Sequence, residues 1–538
     1  MQWLILSLLA VYTGVLVYLG RLGRRRSTSE NFIHGGRQFS AWQVFFMISA
    51  LWCSWIFIVE IETAYLFGVS AVWFGVAVGV MAFVSIFLLA TPFRRLSYVT
   101  NSGILGQRFG TGARTLSGLV IALTFPIFAM SNVLAAAAFL HVVTGWPLVV
   151  TLAGTAVVIL AYAVLGGIWA LAYTQIANFV VMAAGLILAT GVALHAAPPA
   201  EWARNLPARY LSWTGVGTGT ILVWLFSDLL NVVSAQAEFQ ILTAATDMRV
   251  AQRGLNWAMI SIAVFTVLSA LVGVAVRAGV PGGRLLGVVA FPLLYLHHAS
   301  APVVALMTLV VWAAALTWSA PLLFSGAASL GADVLRYLVR GLSDRTRFCV
   351  QICLPLQAAL VVLYATMRPQ DLAWWQVFSL TIRNGAIFAP TVALLVWPVA
   401  GRGAAVTSIL GGSLAGLAWN MATGFSTTRF LYGLNPMWVG ASAGIVLLVG
   451  LSLLTARGRY RWNGAAFRHH GWAAWPATGL LALLAGLQLL DWPGLVRTAL
   501  AGPLVLLTAV DLLLLASLLA RPRTEEWASA VSTAPTPG

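Results

Sequence analysis

The chain has 538 residues, of which 60% are hydrophobic and only 8% charged, with a mean hydropathy of +0.92. A soluble domain of that size cannot cover its surface with so little charge, and the apolar runs are about 20 residues long, the length of a membrane helix rather than of an alternating barrel strand. The net charge of +16 comes entirely from arginine, in short clusters between apolar runs, which argues against a nucleic-acid-binding face and matches the arginine bias of cytoplasmic loops.

The first apolar run, 3–19, is followed rather than preceded by its positive charges, Arg21 and Arg24 to Arg26. It therefore reads as an uncleaved helix with its N-terminus outside. About fifteen spans follow from that start, near 2–20, 40–68, 71–92, 115–140, 146–164, 173–196, 214–236, 254–277, 301–331, 348–366, 376–399, 404–421, 434–455, 472–490 and 495–520. The alternation puts Arg94, Arg95, Arg108 and Arg114, then Arg249 and Arg253, then Arg336 to Arg347, Arg402, Arg457 to Arg468 and Arg521 on the cytoplasmic side. The expectation is a multi-pass protein of an inner or plasma membrane with a cytoplasmic C-terminus. Residues 1–36 read as an N-terminal helix and basic loop, 37–400 as the core, 401–470 as peripheral helices and 471–520 as two added helices. The tail 521–538 is expected to be disordered, and any output module would be a separate chain.

Polar groups at membrane depth are costly, so they mark candidate sites. Glu60, Glu62, Asp228 and Asp511 lie inside predicted spans. Asp228 and Asn231 are three apart and share one helix face. Their role is either to hold two helices together or to meet a solute, and a carboxylate facing the site would favour a cationic or amino-bearing solute or serve as a proton acceptor. Glu60 and Glu62 are two apart and point to different sides of a regular helix, in the outer half of their span, where an aqueous vestibule would suit them. Asp511 reads as packing, and Cys53, Cys349 and Cys353 as buried free thiols. No histidine lies near mid-membrane and no nucleophile, histidine and carboxylate set is visible, so no enzyme and no resident cofactor is expected.

Several segments resemble the sodium:solute symporter family. "SENFIHGGRQFSAWQ" is similar to the family's Phe-x-x-Gly-Gly-Arg entry to the first core helix, and "CSWIFIVEIETAYLFGVS" to that helix itself. "LGGIWALAYTQIANFVVM" resembles Gly-Gly-x-x-Ala-x-x-x-Thr-Asp-x-x-Gln, with Gln175 at the acidic position. "QAEFQILTAATDMRVAQRG" and "ASLGADVLRYL" are similar to the closes of the sixth and eighth core helices. The resemblance implies two inverted five-helix repeats whose interrupted helices present carbonyls to ion and solute, and a secondary transporter of a small polar solute driven by a sodium or proton gradient.

Carried over residue by residue, the resemblance puts sodium on the carbonyls of Ser49 and Trp52 in a broken first core helix and on Ala314 and Thr317 in the eighth. Trp318 stands where the family has a second hydroxyl and can supply no oxygen. Solute contacts fall at Trp55, Ile56, Asp228 and Asn231, with Glu60 and Glu62 as coupling or vestibule carboxylates; Trp55 and Ile56 make a sugar a poor fit. Cys53-Ser54-Trp55 is also similar to symporter-like regions fused to histidine kinases, which leaves a non-transporting sensor or partner subunit as the alternative.

Overall fold

The computed structural model of the protein describes residues 1–24, 35–88, 100–165, 168–280, 286–339, 341–342, 345–427, 429–456, 460–463 and 471–522. Among them the chain is almost wholly helical. The helices that matter for the site are α1 (Gln2–Arg24), α2 (Ala41–Phe67), α3 (Val72–Leu88), α4 (Asn101–Phe109), α5 (Thr111–Thr144), α6 (Leu148–Leu165), α7 (Ile168–Ala196), α8 (Thr218–Asn231), α9 (Gln236–Thr243), α10 (Met248–Gly279) and α11 (Ala301–Ala328). They are followed by α12 (Thr346–Met367), α13 (Leu372–Val396), α14 (Arg402–Ala422), α15 (Pro436–Thr455), α16 (Gly471–Leu490) and α17 (Ala501–Leu519).

Among the described residues ten helical stretches are long and apolar enough to cross a membrane, or up to eleven if the bent pair α8 and α9 is one span. One of the ten, Ala41–Ser85, contains both α2 and most of α3, and Leu148–Val164, Gly287–His298 and Ala474–Leu490 are apolar but shorter. These counts stand below the expected fifteen. One further difference is a small ribbon in which Tyr460–Trp462 pairs antiparallel with Ala520–Pro522. Arg521 and Pro522 are thus strand residues, and the remainder of the expected disordered tail, with Arg457 to Arg459, lies outside the described residues.

Local chemistry explains where the central helices begin and end. Ser40 opens α2 with a reciprocal cap: its hydroxyl accepts from the Gln43 N–H at 3.4 Å while the Gln43 side chain accepts from the Ser40 N–H at 2.9 Å. Gly68 ends the helix at φ 79°, and a Cβ there would lie 2.1 Å from the Tyr210 carbonyl oxygen. Only glycine satisfies both demands. Between these ends α2 runs as one 27-residue helix. The break that the family resemblance implies for this helix is absent.

A break does occur between α8 and α9, which meet at 46° across Val232–Ala235. The freed backbone finds partners inside the protein, as it must in lipid. Asn101 donates its side-chain amide to the Val233 carbonyl at 3.2 Å and its backbone N–H to Gln236 Oε1 at 3.0 Å. Its neighbours Thr100 and Ser102 both donate to Asp333 Oδ2, at 2.6 and 2.8 Å, in the π-helical segment Ser329–Leu335 that extends α11. One tripeptide therefore ties the broken helix to the end of α11.

Helix α13 is seated by close backbone contact. A Cβ on Gly412 of α14 would fall 2.0 Å from the Gly385 carbonyl oxygen of α13, and one on Gly444 of α15 would fall 2.5 Å from the same oxygen. Small residues at such a seam replace the hydrophobic drive that lipid removes between helices. Glu62 of α2 holds the other end of α13: its carboxylate accepts the Asp371 and Leu372 N–H groups at 3.0 and 2.9 Å, as a helix N-terminus favours. Gly412→Leu should push α13 off this seam at a cost of about 1–3 kcal/mol. Thermal unfolding in detergent should read this as a clearly lowered midpoint, and an unchanged midpoint would mean that the seam is loose.

Candidate functional site

Three tryptophans fill the centre of the helix bundle. The Trp318 ring of α11 stacks on Trp55 of α2 at 5.5 Å and 23° and lies 5.6 Å from Trp52. Phe74 of α3 extends the stack from Trp55 to Trp224 of α8. The Trp318 indole N–H donates to the Phe128 carbonyl at 2.8 Å, and the Ser319 hydroxyl to the Ala129 carbonyl at 2.9 Å, so α5 fixes both side chains. Ile56 is fully buried apolar packing.

The carbonyls around this stack are answered by side-chain amides. Pro321 has no N–H to offer the Thr317 carbonyl one turn earlier, and Gln175 Nε2 donates to that oxygen at 3.0 Å. Pro126 likewise leaves the Ala122 carbonyl without its helical partner, and Gln357 Nε2 reaches it at 3.0 Å. Asn132 Nδ2 donates to both the Ser54 and Ala314 carbonyls, at 2.9 and 3.1 Å. The Thr317 hydroxyl returns to the Ala313 carbonyl at 2.6 Å.

These contacts decide whether the sodium position implied by resemblance fits an ion. Ser49 and Trp52 lie in unbroken helix, the Ala314 carbonyl already has an amide donor, the Thr317 hydroxyl is donated to its own helix, and Trp318 is a packed indole. The residues do not fit sodium there.

A second cluster sits one layer away, where α13 faces α8, α9 and α5. Arg383, 2% exposed, donates from Nη2 to Asn231 Oδ1 at 2.6 Å and spreads its guanidinium over the Phe128 and Phe125 rings at 4.6 and 5.0 Å. Ser234, in the break of the helix pair, also donates to Asn231 Oδ1 at 2.8 Å. Asp228 accepts Gln376 Nε2 on both oxygens, at 3.1 and 3.2 Å, and Arg383 lies within its electrostatic reach. The Asn384 side chain donates to the Ser227 carbonyl at 2.8 Å. Asp228 and Asn231 thus do face the same way, toward α13.

Arg383 is the residue that sequence reasoning missed. An arginine in the middle of "SLTIRNGAIFAP" carries the same signal of costly charge inside a span as the acidic residues do. Its presence corrects the reading of Asp228 as a carboxylate turned toward a cationic solute, because Gln376 and Arg383 already answer it.

Two spaces frame the cluster. A vestibule of about 640 Å³ opens between the ends of α8, α13 and α15, and Trp224 and Thr381 line it. Trp224 is one turn from Asp228, and Thr381 is two residues from Arg383. A separate cavity of about 20 Å³, room for about one water molecule, is bordered by Trp52, Phe128, Asn231, Glu238, Trp318 and Arg383. Glu238 accepts the Ser85 hydroxyl at 2.8 Å, and the Trp52 indole lies beside it. Neither Glu60 nor Glu62 lines the vestibule, contrary to expectation: Glu62 caps α13 and Glu60 is enclosed.

A sequence profile of the sodium:solute symporter family matches residues 32–412. The chain belongs to that family. Of its curated relatives, the human sodium/iodide cotransporter is 26% identical over 248 residues, which cover 43% of this chain and 38% of that protein. Sodium-coupled monocarboxylate transporter 2 of Danio rerio is 29% identical over 181 residues, covering 34% of this chain and 29% of the relative. The matched region therefore spans well under half of either relative. A solved Na+-coupled sialic acid symporter in a substrate-bound, outward-open state superposes with a TM-score of 0.69 at 16% identity, over 84% of this chain and 97% of that one. A closed transporter of the nucleobase-cation-symport-1 family gives 0.54 at 12% identity, over 80% and 95%. Both likenesses concern fold alone. The family relatives are transporters and not enzymes, sodium is their coupling ion, and membership makes this chain a multi-pass membrane protein with no cofactor indicated.

The coupling of Asp228 and Arg383 is open to a double-mutant cycle. Removing one buried charge strands the other, so Asp228→Leu and Arg383→Met should each cost about 3 kcal/mol, and the double variant should cost clearly less than the two together. Denaturant unfolding of the purified protein reads all three; strict additivity would show that the charges are not coupled.

Proposed function

We propose that this chain is a secondary active transporter that carries a small organic anion, of the monocarboxylate class, on an ion gradient. Arg383 carries the reading. It is a permanent cation at the wall of the central cavity, with Asn231 and two aromatic faces to shape the space around it. A carboxylate admitted there when the one-water cavity opens to the vestibule would gain parallel N–H donors from the guanidinium, which is how arginine recognises that group. Asn231 and the Phe125 and Phe128 rings hold its orientation, and Asp228 supplies a compensating charge nearby. The names of the relatives, which refer to iodide and monocarboxylate, agree with an anionic cargo.

In this reading the chain has about fifteen spans, of which two inverted five-helix repeats form the core within residues 37–400, helices 401–470 are peripheral, and 471–520 supply two additional helices. The N-terminus lies outside and the C-terminus in the cytoplasm. The vestibule then opens outward, and Trp224 with Thr381 forms the floor that separates it from Arg383. The coupling ion is sodium or a proton. The hydrogen-bonded carbonyls and the indole at Trp318 favour one rival, a chain that keeps the fold but does not transport and serves a separate subunit.

A flux assay in proteoliposomes separates the two. Labelled lactate, pyruvate and iodide are offered with sodium and proton gradients imposed separately. Gradient-dependent uptake of at least one, falling tenfold or more (about 1.4 kcal/mol) in Arg383→Gln and only partly restored in Arg383→Lys, is the expected result. Uptake unaffected by Arg383→Gln would remove the anion site, and no flux under either gradient would favour the non-transporting reading.

A further inference from the structure

Glu60 lies on α2 two turns before the Gly68 stop. Its side chain is 0% exposed, and among the described residues neither carboxylate oxygen has a hydrogen-bond partner. Gly75 of α3 faces it. A Cβ on that glycine would sit 2.6 Å from Glu60 Oε2 and 2.2 Å from Thr266 Oγ1 of α10, so carboxylate and hydroxyl converge on one notch against the α3 backbone. The Thr266 hydroxyl is itself unpartnered, as is that of Ser269 three residues along on the same face of α10.

Those two hydroxyls depart from the habit of this bundle. Thr63, Thr124, Thr308, Thr317 and Thr381 all return their hydroxyls to the carbonyl four residues back, at 2.6 to 2.8 Å. Thr266 and Ser269 forgo that bond and leave their oxygens available beside a carboxylate.

Among the described residues no cation answers Glu60. On its own helix Glu62 turns to α13. Helix α3 carries no charged residue. On α10, Arg277 lies over the Tyr65 and Tyr210 rings at 5.2 and 5.6 Å, and Arg249 and Arg253 are at the opposite end. On α8, Asp228 is held by Gln376. An ionised carboxylate so enclosed costs several kcal/mol without a partner. A proton neutralises it and needs no volume.

We propose that Glu60 is a proton-binding site: at rest it is a carboxylic acid facing the Thr266 hydroxyl across the Gly75 notch, and it releases and regains that proton during transport. On release the Glu60 O–H bond breaks and the proton passes to water. Thr266 and Ser269 then turn their own O–H groups to donate to the carboxylate that is left. A hydroxyl suits both states because it can accept from the acid and donate to the anion.

The coupling half of this proposal rests on the transport reading above, while the protonation half stands without it. Infrared spectroscopy of the reconstituted full-length protein should show a protonated-carboxyl C=O band that is lost in Glu60→Gln, a near-isosteric variant of the neutral acid that should fold. Thr266→Val should keep the band and shift it, since the carboxyl loses the polar neighbour beside it. A band unchanged in Glu60→Gln overturns the site, as does one abolished by sodium at constant pH, which would make it an ion position. If wild-type uptake varies several-fold between about pH 5 and about pH 8, Glu60→Gln should vary by less than about twofold. A variant profile matching wild type overturns the coupling, and absent wild-type flux defeats the transport reading while the infrared result still decides the site.

Discussion

In a bilayer no solvent takes over a backbone carbonyl that has lost its helical partner, and the centre of this protein depends on how that demand is met. Pro321 and Pro126 each strip one carbonyl in a long helix, and Gln175 and Gln357, from two other helices, replace the missing donors. Each such bond joins helices across the interior, because the amide that satisfies one helix must be anchored in another. Asn132 does the same for Ser54 and Ala314. The price of removing any of these amides is a buried oxygen without a partner, about 1–3 kcal/mol. One of these oxygens, the Ala314 carbonyl, is among those that the resemblance would offer to sodium, so at that atom packing and ion binding compete.

Charge follows a parallel logic. Arg383 and Asp228 are tolerable at membrane depth because each has a neutral amide and the other's field. Their arrangement is asymmetric, with the guanidinium at the cavity wall and the carboxylate behind it. The positive end is thus the one that borders the cavity. Glu62 is satisfied differently, by the N-terminus of α13, so two carboxylates two residues apart in sequence live in unrelated surroundings.

Much of this was legible before any coordinates. Apolar run length gave the membrane class, and the three-residue spacing of Asp228 and Asn231 gave their common face. The opposite facing of Glu60 and Glu62 followed from helix geometry and is seen in the structure. Other features could not be read. Arg383 was overlooked, although its charge within a span carries the same signal as an acid does. The partners of Asp228, Gln376 and Arg383, lie about 150 residues away on another helix, a separation that no local pattern reports. The unbroken course of α2 contradicts the family resemblance, and the residues that would have warned of it, Trp52, Trp55 and Trp318, become a stack only once α2 and α11 are brought together. The ribbon between Tyr460–Trp462 and Ala520–Pro522 pairs segments too short to leave a signature.

The tripeptide Thr100 to Ser102 grips two moving-part candidates at once, the bend between α8 and α9 and the π-helical end of α11. Those attachments use four hydrogen-bonding groups from three consecutive residues, so one short segment joins both elements. Any change in the bend relative to the end of α11 must therefore break, or carry along, the bonds of three small polar side chains and one backbone amide.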